Sequence, residues 1–154
     1  MKNPLISIVI PTYNREKLIL ETLETVFDQT YKNYEIIVVD NASTDSSVKM
    51  LREFEKDGKL TLIANEHNLE RARARNKGFK AAKGDFLTLL DSDDFMAPDR
   101  LETLLALATM HNADFVADDL YKVAEDDPDG PRTRMFTDEM DLGWCLLLAQ
   151  HVSC

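Results

Sequence analysis

Phe86-Leu87-Thr88-Leu89-Leu90, followed directly by Asp91-Ser92-Asp93-Asp94, decides the reading of this chain. Five residues, four of them apolar, bounded by Gly84 upstream and by charges downstream, predict a buried strand of a parallel sheet. Three carboxylates then crowd into four positions at the strand's carboxyl end. In an open α/β sheet, ligands bind in the crevice outside those ends. Like charges so close repel one another, and a hard divalent cation with oxygen ligands is the natural counter-charge. An acidic turn or a helix N-cap cluster is the competing reading. A single Asp after a strand would favour it; this run favours a metal or ligand site.

Working outward, the same pattern recurs upstream. Ile6-Ser7-Ile8-Val9-Ile10 is β-branched enough for a central strand, which Pro11-Thr12-Tyr13-Asn14 is expected to stop. Ile19, Leu23, Val26 and Phe27 have helical spacing over about residues 15–28. Glu35-Ile36-Ile37-Val38-Val39-Asp40 predicts a second buried strand that also ends on a carboxylate. The polar loop Asn41-Ala42-Ser43-Thr44-Asp45 supplies capping residues for a helix through Val48, Leu51 and Phe54, closed by Asp57-Gly58. Leu60-Thr61-Leu62-Ile63 predicts a third strand, and residues 69–82 a helix leading to the strand quoted first. The order β-α-β-α-β-α-β implies parallel pairing, with strand order 3-2-1-4 expected. Downstream, Pro98 and Asp99 open a helix carrying Leu101, Leu104, Leu105 and Ala108. A fifth strand is expected from Asp114 towards Tyr121, an acidic turn-rich loop over 125–131, and a final helix from Asp138 through Trp144 to Leu148.

Composition sets the outer limits. The 154 residues suit one domain with a real core, and 44% apolar with 30% charged residues is ordinary for a soluble protein. A formal net charge of −10 disfavours a nucleic acid or anionic membrane held by bulk electrostatics. An anionic substrate would need a local device: a metal, an arginine cluster or a helix N-terminus. Cys145 and Cys154 are too few for a disulfide framework, no apolar run spans a membrane, and the start does not resemble a signal peptide. The expected setting is soluble and cytoplasmic. His67, His111 and His151 lack metal-binding spacing, and Cys145 beside Trp144 reads as core.

Several segments together resemble family 2 glycosyltransferases: Pro11-Thr12-Tyr13-Asn14-Arg15, Gln29-Thr30-Tyr31, Glu35 through Asp45, Ala74-Arg75-Asn76-Lys77-Gly78, Asp91-Ser92-Asp93-Asp94 and Pro98-Asp99-Arg100-Leu101. The resemblance runs from about Ile6 to Leu105. One departure is Asn41-Ala42, where many relatives carry Asp-Gly. The resemblance implies the GT-A fold, a Rossmann-like three-layer α/β/α domain with a mainly parallel sheet. It also implies a nucleotide-diphosphate sugar donor (a UDP-sugar favoured), Mn2+ or Mg2+, a saccharide or lipid-linked acceptor, and inversion at the anomeric carbon. Carried over residue by residue, Asp93 of the DxD motif ligates the metal. Asp91 contacts the ribose or the metal's shell, with Ser92 beside it, and Asp94 either supports those ligands from behind or contacts the donor sugar. Thr12 and Tyr13 line the base pocket, Pro11 and Asn14 beside them bind the donor, and Asp40 accepts a base N–H, a cap on the following loop being its competing reading. Arg75 lies in the matching Ala-Arg-Asn piece and shares a helical face with Arg71, near a helix N-terminus that favours anions. A solvated face balancing an acidic protein is the competing reading of both arginines.

Other classes fit less well. A nicotinamide enzyme wants Gly-x-Gly-x-x-Gly where this chain has Pro11-Thr12-Tyr13-Asn14. A metal-dependent signalling domain gathers aspartates from different strands. A non-catalytic nucleotide-binding half-domain stays open, because relatives continue into an acceptor-binding half that carries the general base. Asp138, Glu139 and Asp141 do not match the family's base motif. The expected division is a donor-binding domain over 1–124 and, over 125–154, an acidic loop with a helical segment that starts an incomplete acceptor half. A truncated chain without its base, with peripheral membrane association through regions beyond it, is the resulting expectation.

Overall fold

The computed structural model describes residues 3–118, 121–122, 133–134 and 146–149. Its elements begin with β1 (Ile6–Thr12), α1 (Leu18–Phe27), β2 (Tyr34–Asp40), α2 (Ser47–Lys56), β3 (Thr61–Ala64), α3 (Arg71–Ala81), β4 (Phe86–Leu89) and α4 (Arg100–His111). The short strands β5 (Phe115–Ala117), β6 (Tyr121–Lys122), β7 (Thr133–Arg134) and β8 (Leu146–Ala149) follow. The main sheet runs β3-β2-β1-β4-β8-β5, so the expected order of the first four strands holds. β1 pairs in parallel with β2 and β4, and β2 with β3.

Period-two alternation divides the core between the two faces of the sheet. Ile6, Ile8 and Ile10 of β1 and Ile36 and Val38 of β2 pack with Ile19 and Leu23 of α1, Leu51 of α2, and Leu101 and Leu104 of α4. Val9, Ile37, Val39, Leu87 and Leu89 face the other way, against Ala74 and Phe79 of α3. The result is three layers, α/β/α. Burial of each such Ile or Leu is worth roughly 1.5–3 kcal/mol, so the strands' apolar runs hold this arrangement. At Gly78, α3 comes so near the sheet that an added Cβ would lie 2.3 Å from a Val9 methyl. Gly58 closes α2 as expected, with φ +70 and its N–H donating to the Glu55 carbonyl at 3.0 Å.

Some expectations are corrected. Pro11 does not stop β1, which pairs with β2 through Thr12 opposite Asp40. Pairing with β4 ends at Val9, so the missing N–H of Pro11 falls on a side with no ladder bond to lose. The fifth strand does not reach Tyr121: β5 ends at Ala117, while β6 pairs with β7 in a separate two-stranded sheet. Leu146, Leu147 and Leu148 are not helical. They form β8, antiparallel to both β4 and β5 within the main sheet. An uninterrupted leucine run carries neither helical nor strand periodicity, and the open side of β4 settles it. The acidic loop at 125–131 and the proposed helical residues 138–145 lie outside the described residues. Among the described residues, no helix is long and apolar enough to cross a membrane.

Candidate functional site

The carboxyl ends of β2, β1 and β4 lie side by side and open into a crevice of ~450 Å3. β1 contributes Pro11, Thr12 and Tyr13, with Arg15 just beyond. Asn41 follows β2. Asn68, Leu69 and Glu70 approach α3, which adds Arg71 and Ala74; Asp91, Ser92 and Asp93 follow β4. Because β1 lies between β2 and β4, the crevice has Asn41 towards one end, with Glu70 and Arg71 close by in the chain, and the acidic Asp91–Asp93 turn at the other.

At the acidic end the chain turns tightly, the Asp94 N–H donating to the Asp91 carbonyl at 3.1 Å. Asp91 Oδ1 accepts from Arg75 Nη2 at 2.8 Å, and that arginine side chain is only 13% exposed. Asp93 Oδ2 lies 3.5 Å from Arg15 Nε, both side chains half-exposed. Partial burial pushes the Asp94 carboxyl, next along the chain, above the usual carboxylate range. The charges of Asp91 and Asp93 raise it further, while Arg100 opposes them. The carboxylates therefore feel one another, and two arginines answer their charge. Among the described residues, no group of three or more His, Cys, Asp and Glu side chains is placed to hold a metal unaided. The donor set suits a hard cation that takes one or two carboxylates and completes its shell with phosphate oxygens and water. It does not suit an all-protein cage.

Thr12 adds a different signal. It is 3% exposed, and among the described residues its Oγ1 has no hydrogen-bond partner. An unpaired buried hydroxyl costs on the order of 1–3 kcal/mol unless a ligand satisfies it. Tyr13 is 43% exposed beside it, a free aromatic face at the same strand end.

The expected site residues divide into two groups. Pro11, Thr12, Tyr13, Arg71, Asp91, Ser92 and Asp93 line the crevice, and Arg75 reaches it through Asp91. Asn14 and Asp40 stand behind the wall. The Asn14 N–H donates to Ser43 Oγ at 2.9 Å, and its Oδ1 accepts from the Thr44 N–H at 2.8 Å. Asp40 is fully buried, accepting the Ser43 N–H at 2.9 Å and also the Ser43 hydroxyl. The expectation that Asp40 receives a base N–H gives way to a loop cap. Asp40 is not among the residues that line the crevice, and its carboxylate is taken up by Ser43 of the following loop. Asp40→Ala should therefore lower stability by about 1–3 kcal/mol in thermal unfolding, through unpaired Ser43 donors. It should leave the ratio of uridine to cytidine diphosphate affinity unchanged; a selective loss of uridine binding would restore Asp40 as a base acceptor.

Sequence reasoning passed over Asn41, Asn68, Leu69, Glu70 and Arg15. The strand-end rule that singled out Asp40 applies equally to Asn41 one residue later, and Arg15 closes a segment already read as significant. Nothing in Asn68-Leu69-Glu70 marks it without the fold.

Comparison with known proteins places this geometry. The family model described as Glycosyl transferase family 2 matches residues 7–150. Glycosyltransferase GlyG of Streptococcus pneumoniae serotype 4 is 38% identical over 124 residues, covering 80% of this chain and 41% of GlyG. The crystal structure of S. aureus TarS 1–349 in complex with UDP-GlcNAc superposes with a TM-score of 0.65 at 30% identity, over 71% of this chain and 32% of that one. The mannosyltransferase PcManGT from Pyrobaculum calidifontis, in complex with GDP-Man and Mn2+, gives 0.69 at 28% identity, over 76% of this chain and 36% of that one. The chain thus spans about two-fifths of GlyG's length and about a third of each structure's.

Proposed function

The chain belongs to glycosyl transferase family 2, and from that premise we propose that its crevice binds a nucleoside-diphosphate sugar, a UDP-sugar in first place. The donor's sugar goes to the hydroxyl of a saccharide or lipid-linked acceptor with inversion. The observation that carries this is the polarity of the crevice. Thr12, Asn41 and Leu69 stand at one end, with the charges of Glu70 and Arg71 following Leu69, and the carboxylates Asp91 and Asp93 stand at the other. A nucleotide has the same polarity: a neutral, flat base and a charged diphosphate that needs a cation between itself and the aspartates.

In this reading the Thr12 hydroxyl meets the base edge and Tyr13 offers its ring to the base. Asp93 and Asp91 hold Mn2+ or Mg2+. Bound there, the cation would neutralise charge developing on the departing diphosphate. Arg75 keeps Asp91 oriented across 2.8 Å. Arg15 and Arg71 line the same crevice and add positive charge for the phosphates. The GDP-Man and Mn2+ of PcManGT and the UDP-GlcNAc of TarS support the ligand class. Transfer also needs an acceptor site and a base within reach of its hydroxyl, worth typically 10²–10⁴-fold. Neither is assigned among the described residues, and Asp138, Glu139 and Asp141 lie outside them.

Calorimetric titration with UDP, CDP and GDP, each with and without Mn2+, tests the reading. The expected result is saturable binding that tightens at least about tenfold with the cation, since two aspartates otherwise face the diphosphate. Absence of binding to all three, with metal present, would overturn it.

A further inference from the structure

Two segments marked in the sequence, Gln29-Thr30-Tyr31 and Pro98-Asp99-Arg100-Leu101, stand outside the crevice wall. In the fold they meet, just beyond the acidic turn. Resting on the cation reading of that turn, we infer that Gln29 and Thr25 are positioning residues for the metal site. They hold segment 96–101 against the end of α1, and thereby fix the bridge that carries Asp91 and Asp93.

The contacts form one continuous seam. Thr25 Oγ1 accepts the Met96 N–H at 3.1 Å and donates to the Thr22 carbonyl at 2.8 Å, one turn back in α1. Gln29 Nε2 donates to the Ala97 carbonyl at 2.7 Å and to the Thr25 carbonyl at 3.2 Å. Its Oε1 accepts the Leu101 N–H at 3.1 Å. The Thr30 N–H donates to the Pro98 carbonyl at 2.8 Å. Leu101 lies in the first turn of α4, where N–H groups lack intrahelical acceptors. Among the described residues Asp99 forms no side-chain cap bond there, so Gln29 caps α4 from another element. Gln29 is fully buried and meets an N–H with its oxygen and carbonyls with its nitrogen, which gives the amide one orientation. From the other side, Arg100 donates to Asp118 Oδ2 at 2.6 Å and Oδ1 at 3.1 Å, and to Thr88 Oγ1 of β4 at 3.3 Å.

These bonds leave a short bridge. The Leu90 N–H donates to the Val9 carbonyl at 3.0 Å and fixes one end; Met96, on Thr25, fixes the other. Residues 91–95 span the two, and three of these five are aspartates. Their like charges drive one another apart. With both ends tied, the turn keeps Asp91 and Asp93 together before a cation arrives, which spares the ordering cost on binding. With the Met96 end released, repulsion is free to open it.

The experiment uses the full chain and the variants Gln29→Leu, Thr25→Val and Thr25→Ser. UDP affinity is measured with and without Mn2+, and hydrogen exchange by segment in the ligand-free chain. Gln29→Leu removes the anchors at Ala97 and Leu101, and the factor by which Mn2+ tightens UDP binding should fall about tenfold, the lower end for an outer partner of a metal ligand. Thr25→Val keeps the shape without the hydroxyl, for a fall of about threefold. Thr25→Ser returns the hydroxyl and should stay within about twofold of wild type. Metal-free UDP affinity should stay within about twofold in all three. Exchange should rise over residues 91–101 and not in β2 or β3. Equal losses with and without Mn2+, or exchange rising throughout, would reduce the seam to general structural support and overturn the inference. So would an unchanged Mn2+ factor despite local loosening, or a Thr25→Ser chain as weak as Thr25→Val. If Gln29→Leu fails to fold, the Thr25 pair decides alone. A wild-type chain whose UDP binding gains nothing from Mn2+ would remove the cation reading, a failure seen before any variant is made, and the inference with it.

Discussion

Asp93→Asn should weaken cation-dependent nucleotide binding by more than about 100-fold and leave the fold intact. Loss of an outer partner of a metal ligand alone costs about 10–100-fold in metal affinity, so loss of a direct ligand should cost more. The protein has little else to offer a cation here. Among the described residues no set of three carboxylate, imidazole or thiolate groups converges without help from the ligand. Stability should hardly change, because the contact given up is a half-exposed pair with Arg15 at 3.5 Å, and such pairs are worth about 0–1 kcal/mol. Relief of repulsion at Asp94, whose carboxyl already feels Asp91 and Asp93, works in the opposite direction. Thermal unfolding without metal and calorimetry with UDP and Mn2+ measure the two effects separately. Undiminished Mn2+-dependent affinity in the variant would place the cation elsewhere and remove the acidic end from the site.

Much of this architecture was legible because parallel strands buried on both faces read as apolar runs, and their carboxyl ends can be located to a residue or two. That resolution is adequate for a fold and coarse for a site. At β2 it placed the functional residue at Asp40, whereas the buried Asp40 carboxylate is bonded to Ser43 and Asn41, one residue later, lines the crevice. In the fold, Ala42 takes φ 68, a left-handed conformation that costs a non-glycine residue about 1–2 kcal/mol. Asn41, meanwhile, donates from its amide to Asn68 Oδ1 and to the Leu69 carbonyl. Leu146–Ala149 was illegible for another reason: its partners in β4 and β5 lie far away along the chain, and only they decide between strand and helix.

Gly78, within the Ala74–Gly78 segment, links fold and site, and Gly78→Ala should damage both. An added Cβ would lie 2.3 Å from Val9 Cγ1 and 3.1 Å from Val39 Cγ2. Both valines are fully buried, and β-branched side chains have little rotamer freedom with which to yield. Val9 sits in β1, held between β2 and β4, so α3 is the element that moves. Alanine's better helix propensity returns about 1 kcal/mol, against an overpacking cost of typically 1–3 kcal/mol with a contact this short at the upper end. A net loss of about 1–2 kcal/mol lowers the melting temperature by roughly 2–8 °C in a domain of this size. Lifting α3 also draws Arg75 from Asp91, so nucleotide affinity should fall several-fold although residue 78 touches no ligand. Adding Val9→Ala separates close approach from any other effect of the substitution. It removes the methyl that the new Cβ strikes, and the double variant should be more stable than the sum of the single losses by about 0.5–3 kcal/mol. Losses that simply add would mean the helix had room at Gly78, and the glycine would then need a different explanation.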